Sequence, residues 1–240
     1  MIYLHQYPKI WGLGSLSPFC LKVEVFLNLA GLPYEVRVEL NPAKGPKGKM
    51  PFIQDDKEVI SDSSFIIQHL IKKYHLHDFD IHESTARAQS FALKIMVEEF
   101  LYFALLHSRW IENENYKQLK KDFHPLFPPL LGNLALTYLR YNLKRQSLAQ
   151  GLGRHSQTDL NHLTSEAVTS ISAILGENEY FSQNRISFID ATLFAFLLTI
   201  LKQPFDSHLK LEVQRHQNLS DFTRRMEHRL TTGPARHSAF

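Results

Sequence analysis

Apolar residues in this chain recur first at every second position and later at every third or fourth, and the change divides it in two. Ile2 to Tyr7 reads as a strand, followed by a loop from Pro8 to Leu16 that carries Trp11, Gly12 and Gly14. Ser17 offers a capping oxygen, Pro18 suits a first helical position, and Val23, Phe26, Leu27 and Ala30 keep helical spacing until Gly31. Tyr34 to Leu40 then alternates as a second strand, which makes a parallel, right-handed crossover unit. After the turn-rich loop Asn41 to Lys49, two short strands at Pro51 to Gln54 and Glu58 to Ile60 flank the turn residues Asp55-Asp56 as an antiparallel hairpin. The capping oxygens of Ser61 to Ser64 precede an amphipathic run from Phe65 to Ile71.

From Asp78 onward the spacing is helical throughout. Ser84 to Glu112 forms one long pattern, and the prolines Pro125, Pro128 and Pro129 interrupt the chain before a helix at Leu130 to Gln150. Thr158 to Leu175, Ser187 to Leu201 and Leu219 to Leu230 complete a bundle. The pattern therefore predicts an α/β domain of βαβ-ββα order over 1–76, a linker over 77–83 and an all-α helical-bundle domain over 84–240.

Composition narrows the function. With 44% hydrophobic and 21% charged residues the chain is an ordinary globule, and its net charge of +3 comes from Lys and Arg scattered among Asp and Glu, so nucleic-acid binding is not indicated. One cysteine, Cys20, leaves no internal disulfide and no Cys-x-x-Cys pair, which suits a reducing compartment. The start of the chain lacks the features of a signal peptide, and the most apolar run, Phe188 to Leu201, holds Asp190 and is short of the ~20 residues of a membrane span. A cytoplasmic protein with no membrane span is expected.

The candidate chemistry gathers at helix starts. A helix N-terminus favours a neighbouring anion by about 0.3–1 kcal/mol, so a thiol held near Ser17 loses its proton more readily. Ser17 is either a cap or a donor to such a thiolate, and Cys20 is either a small buried hydrophobe or itself the nucleophile. Ser63, at a second helix start, is placed to donate to a carboxylate, and Asp62 to take an ammonium. Ser187 and Asp190 match a reciprocal cap, a feature of stability. The chain has 13 histidines, but His75, His77 and His82 in the linker lack ligand spacing, so no metal is expected. Lys44, Lys47 and Lys49 form a charged loop.

These residues, taken in order, resemble motifs of the glutathione S-transferase superfamily. Ser17-Pro18-Phe19-Cys20 resembles the thioredoxin-type C-x-x-C corner with serine in first place. Met50-Pro51 resembles the cis-proline whose preceding backbone binds the cysteinyl group of glutathione. Asp62-Ser63 is similar to the acidic-Ser pair that holds its γ-glutamyl end, and Ser187 to Asp190 to the capping box of the family's buried helix. Within the superfamily, Ser17 to Glu24, Gly48 to Ile53 and Gln150 to Ser156 are most similar to the failed-axon-connections and metaxin-like branch.

The resemblance implies a thioredoxin-like first domain and glutathione as co-substrate. Met50, Pro51, Asp62 and Ser63 would bind it, and Ser17 or Cys20 would serve its thiol, with Tyr7 as a further candidate hydroxyl. It implies a small hydrophobic electrophile in a pocket lined by Tyr7, Trp11, Phe19, His107 and Trp110, and a homodimer. The alternative within the branch is a non-catalytic binding or assembly protein.

Overall fold

A computed structural model describes residues 1–128, 130–183 and 185–232. Pro129, and residues 233–240 of the expected second domain, lie outside the described residues. The first unit runs β1 (Ile2–Gln6), α1 (Pro18–Leu29), β2 (Tyr34–Val38), β3 (Phe52–Asp55), β4 (Glu58–Ser61) and α2 (Ser63–Lys73). Its four strands lie in the order β2-β1-β3-β4, with β1 parallel to β2 and antiparallel to β3. Leu4 sits opposite Val36 on one side and Ile53 on the other, so Leu4 and Ile53 share the fully buried centre of the sheet.

The second unit is helical: α3 (Ser84–Ile95), α4 (Tyr102–Leu106), α5 (Asn113–Phe123), α6 (Gly132–Gln150), α7 (Gln157–Leu175), α8 (Phe188–Leu201), α9 (His208–Arg215) and α10 (Gln217–Thr232). The long pattern expected from Ser84 to Glu112 is one helical rod, but Met96–Leu101 and His107–Ile111 are wound as π-helix, with Glu112 N–H bonding back to the His107 carbonyl at 3.2 Å. Helix α8 runs through the common core and packs on α1, its side chains from Ile189 to Ile200 all buried. At its start the buried Asp190 carboxylate accepts from the backbone N–H of Phe181 (2.7 Å) and Ser187 (2.9 Å) and from the Ser182 hydroxyl (2.9 Å), so the reciprocal cap also fastens the preceding loop.

Several boundaries move. The hairpin turns at Asp56-Lys57 and not at Asp55-Asp56, because Asp55 is held inside β3. Its carboxylate accepts from His69 Nε2 (2.8 Å), Lys73 Nζ (3.0 Å) and the Tyr74 hydroxyl (2.8 Å). Helices α5 and α9 had no counterpart in the sequence reading. The Gln150 to Ser156 stretch is a turn that joins α6 to its neighbours. Gly151 leaves the helix at φ 115°, the Gln150 amide donates to the Glu99 carbonyl at 3.3 Å, and Arg154 donates to the Leu148 carbonyl at 2.9 Å. Arg154 therefore closes the end of α6.

Asp55 makes the fold acid-sensitive. Burial alone raises its carboxyl, but the bonds from His69, Lys73 and Tyr74 outweigh burial and hold it below its ordinary value. A carboxyl lowered in the folded state contributes stability above its unfolded pKa of about 3.9, lost as pH falls through the folded value. The melting temperature followed by circular dichroism is expected to drop below about pH 4, and Asp55→Asn to flatten that dependence. An unchanged acid limb in the variant would assign the acid sensitivity elsewhere.

Candidate functional site

The site is built where the Pro8 to Leu16 loop feeds into α1. Gln6, fully buried at the end of β1, donates its amide to the Gly14 carbonyl (3.2 Å) and to Glu24 Oε2 (3.0 Å), which ties the loop to both strand and helix. A side chain at Gly14 would collide with the Glu24 carboxylate, so this close approach needs glycine. Ser17 follows in an extended conformation (φ −80°, ψ 122°) before Pro18. Its hydroxyl makes no bond to the helix N–H groups, which corrects the expectation that it caps with its side chain. The first turn is closed instead by the Ser17 carbonyl, which accepts from Leu21 N–H at 2.9 Å.

Cys20 lies one turn on and is fully buried in a small cluster with Met50 and Phe52, against Tyr7. Burial pushes its thiol up to about 11, although the Tyr7 backbone and the Ser17 hydroxyl act in the other direction. At neutral pH it stays a thiol, and it is Ser17 that faces the open space beyond. The Met50-Pro51 peptide is cis and both residues are buried.

At the start of α2, Asp62 stands at φ 79° and its side chain accepts from Ser64 N–H at 2.9 Å, leaving the residue exposed. Ser63 is buried, and its oxygen accepts from Lys22 Nζ at 3.2 Å. A lysine ammonium only donates, so the hydroxyl's own hydrogen is left for an acceptor such as a carboxylate. Lys22 is 1% exposed and reaches Glu98 Oε1 at 2.6 Å and Ser64 Oγ at 3.2 Å. Burial lowers the ammonium's pKa while Glu98 opposes that shift. Sequence reasoning missed both residues. Lys22 lies four positions before Phe26 on the buried face of α1, and a lysine there asks for a hidden counter-charge.

Between the two units lies a largely apolar cavity of about 210 Å³. Tyr7, Leu16 and Ser17 form one side, and Tyr102, Arg109 and Trp110 form the other. Tyr7 and Trp110 are thus where they were expected, but Trp11, Phe19 and His107 are not among the residues that line it. Trp11 turns aside at φ 54°, donates its indole N–H to Asp122 at 2.9 Å and packs between Phe123 and Phe205. Phe19 is edge-on to Tyr102 and Phe196 in the core. His107 opens the second π-helical stretch, 3.9 Å from Glu112. Burial raises the phenols of Tyr7 and Tyr102, so both remain protonated donors. Hydroxyl donors and one cation on apolar walls form a place that stabilises negative charge. Among the described residues no group of three or more His, Cys, Asp or Glu is arranged to hold a metal, and no helix is long and apolar enough to cross a membrane.

A glutathione S-transferase N-terminal domain model matches residues 18–115 and a glutathione S-transferase C-terminal domain model matches residues 164–226. The chain belongs to the glutathione S-transferase superfamily. It stands on the metaxin-like branch, as the resemblance implied. The isoprene-epoxide–glutathione S-transferase of Rhodococcus sp. strain AD45 is 26% identical over 235 residues, which cover 94% of this chain and 98% of that protein. Failed axon connections of Drosophila melanogaster is 29% identical over 206 residues, 82% of this chain but 49% of that protein, so the chain spans about half of that relative's length. A solved glutathione S-transferase of Methylobacterium radiotolerans, in complex with glutathione sulfonate, shares the fold at a TM-score of 0.59 and 15% identity, covering 98% of this chain and 92% of that one. The thioredoxin-like sheet with its helices followed by an all-helical domain is thus the superfamily's fold.

Proposed function

We propose that the protein binds glutathione along the first domain and activates its thiol for attack on a small hydrophobic electrophile. The observation that carries this reading is Ser17, whose side chain caps no N–H of its helix and which lines the apolar cavity. A thiolate placed there accepts from Ser17 and lies near the positive end of α1. The sulfur then forms a bond to carbon while the leaving group departs with the bonding pair, or an opened epoxide oxygen takes up a proton, and no covalent enzyme intermediate is needed. In this reading the Met50 backbone holds the cysteinyl group, Asp62 the γ-glutamyl ammonium and Ser63 its carboxylate. The transferase among the relatives matches nearly the whole chain, which supports a catalytic role. The reading carries with it a cytoplasmic homodimer.

The second reading is a binding or assembly protein, favoured by the partial match to failed axon connections and by the exposed side chains Leu130, Leu134, Tyr138 and Tyr141 on and just before α6. Titration calorimetry with glutathione, paired with turnover of a chlorinated dinitrobenzene, separates the two. Binding with turnover at a KM of about 1 μM–1 mM is expected. Absence of both would leave the assembly reading.

A further inference from the structure

Arg109 is 3% exposed and borders the cavity, yet among the described residues no carboxylate comes within 4.0 Å of it, the limit for an ion pair. Three of its N–H groups go to neutral acceptors: Gln203 Oε1 at 2.9 Å, the Leu16 carbonyl at 3.1 Å and the Thr199 carbonyl at 2.8 Å. A guanidinium has five, so among the described residues two are left unmatched, while its face lies 5.3 Å from the centre of the Trp11 ring, which adds attraction but no counter-charge. Lys22, equally buried, shows the contrast, because Glu98 neutralises it at 2.6 Å. A buried cation without a counter-ion is costly unless something supplies one. Burial also pushes Arg109 down to about 9, with the nearby Tyr102 phenol acting in the opposite direction.

We propose that the cavity takes an electrophile with an apolar body and an acidic group, a carboxylate or its equivalent, which Arg109 receives through the N–H groups its neighbours leave free. Arg109 is then a specificity-determining residue. It rests on the transferase reading only for the electrophile, since the cavity and its cation select an anion whether or not turnover follows. The guanidinium fork suits a planar carboxylate, and the Tyr7 and Tyr102 phenols, neutral and protonated, add donors without adding charge.

The test compares neutral and anionic members of matched pairs on the full chain at neutral pH. Calorimetry without glutathione measures naphthoate against naphthamide, and turnover with glutathione measures chloronitrobenzoate against chloronitrobenzamide. The carboxylate is expected to be favoured by about tenfold or more in both, as for a hydrogen bond to a charged group. The ratio should fall to about one in Arg109→Gln and in part in Arg109→Lys. Because Arg109 also joins Leu16 to Thr199, the glutamine variant is checked by circular dichroism. Leu139→Trp, which fills the cavity from the other wall without touching those bonds, should abolish naphthoate binding on its own. Equal affinity for the two naphthalene probes, no binding of either, or a preference that survives in folded Arg109→Gln overturns the proposal. A naphthoate preference with no turnover of either chlorinated probe removes the transferase reading and keeps the anion site. Turnover without preference does the reverse.

Discussion

Replacing Ser17 with alanine is expected to lower kcat/KM for glutathione conjugation by about a hundredfold, the effect of removing one donor from a developing or standing anion in a water-poor site. The structure makes this a test of chemistry and not of folding. The Ser17 side chain caps no N–H of α1 and meets the helix at the Cys20 thiol, while the first turn is closed by the Ser17 backbone carbonyl. Alanine at the first position before Pro18 keeps that carbonyl and the extended backbone. Melting of the variant should therefore stay within about 0.5 kcal/mol of the parent. A pH profile adds a reading that lost packing does not move. With the donor gone, the ascending limb of kcat/KM should shift to higher pH, because the bound thiol holds its proton longer. Wild-type turnover with an unchanged limb would exclude Ser17 as the activating group and leave Tyr7. Cys20 is a poor substitute, since its thiol is pushed up to about 11 and lies buried behind Met50 and Phe52.

The second large effect concerns Lys22. Lys22→Met is expected to destabilise the fold by about 3–5 kcal/mol, because it leaves the Glu98 carboxylate buried and uncompensated. The double variant Lys22→Met with Glu98→Gln should recover much of that loss in urea unfolding, since the penalty lies in the orphaned charge and not in the missing attraction. Glutathione affinity should remain weak in the double variant, because Ser63 no longer accepts from the ammonium that leaves its own hydrogen free. Recovery of stability together with full affinity would refute a positioning role for Lys22. A single-variant loss below about 1 kcal/mol would mean that water already reaches Glu98.

The parts of the fold that the sequence discloses are those set by local periodicity. The βαβ-ββα order, the buried α8 and the reciprocal cap at Ser187 and Asp190 follow from spacing and capping chemistry, and the structure carries all of them. What escaped detection depends on partners far apart in the chain. Helix α5 is amphipathic but short and rich in Lys and Asn, and its face is defined only by contacts such as Trp110 with Phe123. Asp55 looks like a turn residue until His69, Lys73 and Tyr74 are brought to it. At the site, the corner from Ser17 to Cys20 and the pair Asp62-Ser63 are readable because each is contiguous. The aromatic lining was readable only by composition, so two of five residues lie on the cavity and Trp11, Phe19 and His107 pack elsewhere. Arg109 and Glu98 gave no signal, since a charged residue in a long helix is ordinarily solvated.

The two slow turns of the long helix bear on that last point. Glu98 sits in one and Arg109 in the other, so both charges that the helix hides come from places where a residue has in effect been inserted. One residue of an α-helix subtends about 100°. The wide turn takes up that angle, so excising its extra residue would restore regular winding with the flanking turns still in phase, and would withdraw the local bulge that presents Glu98 or Arg109 while the rod itself stayed whole. The shape of the cleft is therefore governed by residue count in this rod as much as by residue type, and single-residue indels there are where relatives of one fold can part in what they accept.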